Sequence, residues 1–136
     1  IKNLHNQMIK SKAELGTLAS NILDNKIYED QNVVKVITNE SLQKSNFPEA
    51  ITFTREAIKK NKNIYHHLGI YCYQIKILEN FVSLDQSQNE IKNKLEQLRA
   101  LDNQIKINVA HAKSTSIGVD TEEDFVAIKK IMEYKS

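Results

Sequence analysis

A chain of 136 residues with 40% hydrophobic and 26% charged side chains has the composition of one globular domain around one core, so a globular rather than a disordered chain is expected, and no low-complexity tract or linker is seen. The net charge of +2 comes from 19 basic and 17 acidic residues spread along the chain, so no basic stripe marks a nucleic-acid footprint. No apolar run approaches the ~20 residues that cross a bilayer, and the polar start Ile1-Lys2-Asn3-Leu4-His5-Asn6 is no signal peptide, so a cytoplasmic protein without a membrane partner is expected.

In chain order, Ile1, Leu4, Met8 and Ile9 share one helical face, which predicts a helix to about Lys12. Residues 15–22 are short and β-tolerant and read as a strand, followed by a polar connection from Asp24 to Asn32. The β-branched run Val33-Val34-Lys35-Val36-Ile37-Thr38 suits a pleated surface. Residues 39–49, with the sole proline Pro48, read as a loop. In residues 50–55 alternation puts Ile51, Phe53 and Arg55 on one face, so an apolar face ends in a guanidinium. Residues 56–63 form a solvated, lysine-rich connection.

Residues 66–74 give the strongest strand, and its period of two places His67, Gly69, Tyr71 and Tyr73 on a common face. Residues 75–82 read as a short helix and residues 90–101 as a longer one, with Ile91, Leu95, Leu98 and Leu101 inward. Residues 105–111 alternate as a strand, and a final helix is predicted over 122–134, with Phe125, Ile128 and Met132 on its inner face. Interspersed strands and helices make an α/β layered sheet flanked by helices the natural class, as a single domain over residues 1–136. The lone Cys72 excludes an intrachain disulfide and a thiolate metal cluster, and reads as a small buried hydrophobe.

Lysine outnumbers arginine 17 to 2, so Arg55 and Arg99 stand out, because a planar guanidinium grips a carboxylate or phosphate with two parallel hydrogen bonds. In Gly118-Val119-Asp120-Thr121, an N-cap at Thr121 with acidic residues in the first turn accounts for Thr121, Glu122, Glu123 and Asp124. Asp120 is left over, either as a loop aspartate or as a hard-oxygen ligand for Mg²⁺. His67 and Tyr71 fit either a packed sheet or a site. Around Leu95 and Leu98, which read as core, Glu96 and Gln97 would by spacing be solvated.

Three stretches, residues 65–73 (Tyr-His-His-Leu-Gly-Ile-Tyr-Cys-Tyr), 95–99 (Leu-Glu-Gln-Leu-Arg) and 118–124 (Gly-Val-Asp-Thr-Glu-Glu-Asp), resemble in order the C-terminal part of the 3-deoxy-manno-octulosonate (Kdo) cytidylyltransferases. Phe53-Thr54-Arg55 resembles that family's Phe-Ser-Arg segment. The resemblance implies a Rossmann-like, GT-A-like nucleotidyltransferase fold and transfer of CMP from CTP to the sugar acid Kdo for lipopolysaccharide synthesis. It assigns Arg55, His67, Tyr71, Glu96 and Gln97 to the sugar acid and Asp120 to the catalytic Mg²⁺, and it implies a homodimer. The family's glycine- and arginine-bearing CTP loop and its acidic turn have no counterpart in the sequence. The expectation is therefore a C-terminal portion whose CTP loop comes from elsewhere, such as a separate N-terminal half.

There are departures. Ser87-Gln88-Asn89-Glu90-Ile91-Lys92-Asn93 lacks the family's proline and has Asn93 for an acid, which is expected to loosen the start of the helix. Gln74 stands where arginine is common, and the loop after Arg55 is shorter. The rival readings are a non-catalytic remnant that folds or dimerises, and an enzyme for another sugar acid such as a sialic acid.

Overall fold

A computed structural model describes residues 2–44, 47–112 and 127–129. Its framework is a mixed sheet of β1 (Leu15–Ser20), β2 (Lys35–Thr38), β3 (Ala50–Thr54), β4 (Ile64–Tyr73), β5 (Ile107–His111) and β6 (Ala127–Lys129), with path order β3-β2-β4-β1-β5. β1 lies parallel to β5 and antiparallel to β4, and all six of its residues are buried, as expected of a strand covered on both faces.

One face is covered by α1 (Lys2–Ser11), whose Leu4 and Met8 pack with Leu18, Cys72 and Ala110. The helix sits directly on Gly16, where a β-carbon would come 2.6 Å from Met8 Sδ and 2.8 Å from Leu4 Cδ1. The larger core, on the other face, gathers Leu15, Val36, Phe53, Tyr71, Tyr73, Phe81, Leu95, Leu98 and Val109. It is capped by α2 (Ile75–Ser83), α3 (Gln88–Asn93) and α4 (Gln97–Asp102). The expected α/β layered class is what is found.

Four local expectations are corrected. The single helix over residues 90–101 is two, because Lys94 adopts φ 55°, ψ 43° and breaks the run between α3 and α4. The break swings Ile91 outward, leaving it 54% exposed, while Leu95 and Leu98 stay in the core. The start of α3 is not loosened, since Ser87 accepts from the Glu90 backbone N–H and Glu90 accepts from that of Ser87, a capping box that fixes the first turn. Ile51 is 58% exposed despite sharing alternation with Phe53, because β3 is the edge of the strand path.

The predicted final helix over 122–134 lies outside the described residues except at 127–129, which form β6 instead. The reason is an open edge. β2 pairs only with residues 64–66 of the ten-residue β4, and β6 takes up Ile70, Tyr71 and Cys72 beyond it.

Candidate functional site

The site begins with an irregularity in β4. Thr17 pairs with Tyr71 and the next residue, Leu18, pairs with Leu68, so Gly69 and Ile70 have no partner on β1. In a straight strand, residues four apart are separated by ~13 Å. The bulge folds that distance down, and the His67 and Tyr71 ring centroids lie 5.5 Å apart. Phe53 packs edge-on against His67 at 4.8 Å, and Tyr73 continues the row behind Tyr71.

Three other segments converge on this row. The first is the end of β3, which carries Arg55. The second is the turn before β2, where Asn32 N–H donates to Asp30 Oδ1 at 2.8 Å. Lys35 ties the two together: although at the start of a strand it is fully buried, and its ammonium donates to the carbonyls of Asp30 (2.8 Å) and Arg55 (2.9 Å). Burial, and to a lesser extent the Arg55 cation, lower the Lys35 pKa, while Asp30 opposes the fall.

The third segment is the break at Lys94, which hands Leu95 to the core and brings Glu96 and Gln97 to the β4 face. It is held by the buried carboxylate of Glu90, which accepts from Arg99 Nε at 2.8 Å and from Arg99 Nη2, while the guanidinium lies 4.9 Å from the Phe81 ring centroid. Arg99, singled out as a possible anion grip, is therefore a structural clamp.

The result is a cavity of about 230 Å³ lined by Arg55, His67, Gly69, Tyr71, Glu96 and Gln97, with residues 32–34, His66, Lys94 and Leu95 completing the wall. It is below the ~300–1,000 Å³ typical of drug-sized ligands, so it suits a small polar molecule. All five residues assigned to a sugar acid meet here. Asn32, His66, Lys94 and the supporting Lys35 were missed; the one signal for Lys35 was a charge inside a β-branched run. Glu96 and Gln97, solvated by helical spacing, are instead half-buried and buried, with Gln97 8% exposed. Asp120 lies outside the described residues.

Several polar groups here are unspent. Among the described residues the Arg55 guanidinium, the Tyr71 hydroxyl and the Gln97 carboxamide have no hydrogen-bond partner, yet no fully buried polar side-chain atom there goes unsatisfied. Their polar ends therefore open onto the cavity. The Tyr71 phenol is pushed well up by burial, then by Tyr73 and Glu96, so it stays a donor. Burial, then the neighbouring His66, holds His67 at about 3, so its ring is neutral; His66 is also lowered, by burial and then by Lys35. Arg55 is thus a fixed cation in a wall that Lys94 also lines, set beside neutral donors and acceptors and the Glu96 carboxylate. That combination suits a polyhydroxylated acid. Among the described residues there is no group of three or more His, Cys, Asp or Glu side chains that could hold a metal.

The fold is an α/β domain of nucleotidyltransferase type, and its β4 face carries a small polar pocket. No protein-family model matches the chain. A 3-deoxy-manno-octulosonate cytidylyltransferase of Bartonella bacilliformis is 39% identical over 128 residues, 93% of this chain and 52% of the relative. The enzyme of that name from Thermodesulfovibrio yellowstonii is 38% identical over 137 residues, 97% and 54% respectively. Among solved structures, that of CMP:2-keto-3-deoxy-manno-octonic acid synthetase complexed with CTP superposes with a TM-score of 0.72 at 28% identity, over 90% of this chain and 50% of that one. The chain is similar to the 3-deoxy-manno-octulosonate cytidylyltransferases over more than nine-tenths of its own length in both relatives, and it spans about half the length of the curated relatives it matches, corresponding to their C-terminal half.

Proposed function

We propose that this chain is the sugar-acid-binding part of a 3-deoxy-manno-octulosonate cytidylyltransferase, and that the complete enzyme transfers CMP from CTP to Kdo with release of pyrophosphate. The observation that carries it is the convergence of Arg55, His67, Tyr71, Glu96 and Gln97, from three separate segments, on one small cavity, with the polar groups of Arg55, Tyr71 and Gln97 unspent among the described residues. Arg55 would grip the carboxylate with two charge-assisted bonds. Gln97, which both donates and accepts, and Glu96, which only accepts, would meet the polyol. Tyr71 would donate from its phenol.

The cytidine triphosphate belongs to the proposal through the family and through the neighbour's CTP complex. So do Mg²⁺ at Asp120, a homodimer and a cytoplasmic location. Mg²⁺ would neutralise charge on the phosphates when bound, and this chain's share of that duty would be the Asp120 carboxylate.

Pyrophosphate release tests the reading. The chain is mixed with the N-terminal half of a relative, CTP, Kdo and Mg²⁺, and each component is omitted in turn. The proposal expects Kdo-dependent release that Arg55→Ala abolishes. Release that ignores Kdo, or none although the two halves associate and Kdo binds, contradicts catalysis; the second result would favour a non-catalytic remnant. Competition between Kdo and a sialic acid decides the sugar.

A further inference from the structure

Among the described residues the His67 ring makes one hydrogen bond, and its direction can be read from the bond next to it. Its Nε2 lies 2.9 Å from the Thr17 hydroxyl oxygen, and both groups are buried. That same oxygen lies 2.7 Å from the carbonyl oxygen of Ile70 and 3.3 Å from that of Leu68. Carbonyls only accept, so an oxygen–oxygen contact of 2.7 Å needs the hydroxyl proton between them. A threonine has one such proton. With it committed to Ile70, the hydroxyl can only accept from His67, and Nε2 must carry the hydrogen.

The ring is neutral, so one protonated nitrogen leaves the other bare. Nδ1 has no partner among the described residues, and since no fully buried polar side-chain atom there goes without one, it opens onto the cavity that His67 lines. The rings packed on the imidazole are Phe53 and Tyr71. The bulge is what supplies the device, because Ile70, one of the two residues it leaves unpaired on β1, provides the carbonyl that takes the Thr17 proton.

We propose that Thr17 is a positioning residue that fixes His67 as the Nε2–H tautomer, so that Nδ1 presents a lone pair to the pocket and accepts a hydrogen bond from a ligand hydroxyl while disfavouring a carboxylate at that point. The identity of the ligand as a sugar acid rests on the proposed function; the tautomer does not. The pocket then divides its work, with the carboxylate at Arg55 and a donating hydroxyl at His67, which discriminates against acids lacking a hydroxyl there.

The test is long-range proton–nitrogen NMR on the chain with ¹⁵N-labelled histidine. At pH 7 the His67 spectrum should show a protonated Nε2 and a bare Nδ1. Thr17→Val, which keeps the shape and removes the acceptor, should produce a mixture of tautomers, and Thr17→Ser should restore the single form. A wild-type ring protonated at Nδ1 or at both nitrogens overturns the proposal, as does Thr17→Val with the wild-type tautomer unchanged. Should Thr17→Val fail to fold, the wild-type spectrum still decides the tautomer, and loss of the Nε2–H form in Thr17→Ser overturns the role of the hydroxyl.

Kdo itself is the second probe. Its titration should move the Nδ1 resonance as an accepted hydrogen bond does, without protonating it, and Thr17→Val should weaken Kdo binding about threefold to tenfold. Protonation of Nδ1 on Kdo binding overturns the proposal. No response to Kdo with the Nε2–H form intact contradicts the sugar-acid reading and supports the tautomer assignment.

Discussion

Replacing Glu90 by alanine removes the carboxylate that holds the break between α3 and α4. Its side chain is fully buried and that of Arg99 is 13% exposed, so the substitution strands a guanidinium against Phe81 and deletes half of the capping box. Removing one partner of such a pair costs about 3–5 kcal/mol, because the remaining charge stays desolvated. The small opening at Arg99 lets it lean toward water, which favours the lower end, about 3 kcal/mol. For a chain of this size each kcal/mol is worth about 3–5 °C, so the melting temperature should fall by about 10 °C or more.

Circular dichroism melts check this, and a double-mutant cycle isolates the pair. Glu90→Leu combined with Arg99→Met should lose clearly less than the two single changes added, since no unpaired charge remains. A Glu90→Ala protein melting within 3 °C of the parent, or a strictly additive cycle, would refute the clamp. A consequence for binding goes with it, because the clamp places Glu96 and Gln97: the charge-preserving Arg99→Lys variant should weaken Kdo binding although residue 99 does not line the pocket.

Arg55→Ala should reduce Kdo affinity about tenfold to a hundredfold, the worth of about 1.5–3 kcal/mol in charged hydrogen bonds, while the melting temperature stays within a few degrees because the guanidinium has no protein hydrogen bond among the described residues; calorimetry and melts on one sample separate the two. His67 titrates near 6.5 when unfolded and at about 3 when folded, so the unfolded chain binds the extra proton between those values and stability falls as pH drops through that window. From pH 7 to 5.5 the loss should be about 1.3 kcal/mol, with His66 adding in the same direction, and His67→Asn should flatten the dependence seen in urea titrations. Cys72 is buried with its thiol pKa raised by that burial, so a thiol reagent at pH 8 should leave it unmodified in the native chain and label it once urea unfolds the protein.

Most strands are legible in the sequence because their alternation and β-branched runs answer to one physical cause, burial on a pleated surface. The helix pair α3–α4 was not. Ile91, Leu95 and Leu98 fit one continuous apolar stripe, and only the left-handed backbone at Lys94, a residue with no special preference for it, divides them. The motif residues Arg55, His67, Tyr71, Glu96 and Gln97 were legible through their resemblance to a family, whereas spacing alone would have left Glu96 and Gln97 in solvent. Lys35, Thr17 and Glu90 were invisible as contributors, since each acts through a tertiary contact, to a carbonyl, a ring nitrogen or a guanidinium, that no local pattern encodes. The bulge had one trace, Gly69 inside a strong strand.

The most direct test of the account is calorimetric titration of Kdo into the 136-residue chain. Saturable one-site binding that Arg55→Ala weakens at least tenfold, with the fold intact, is the predicted result. A well-folded chain that shows no saturable binding of Kdo at millimolar concentration, or binds it equally without Arg55, would contradict the claim that this cavity is a sugar-acid site.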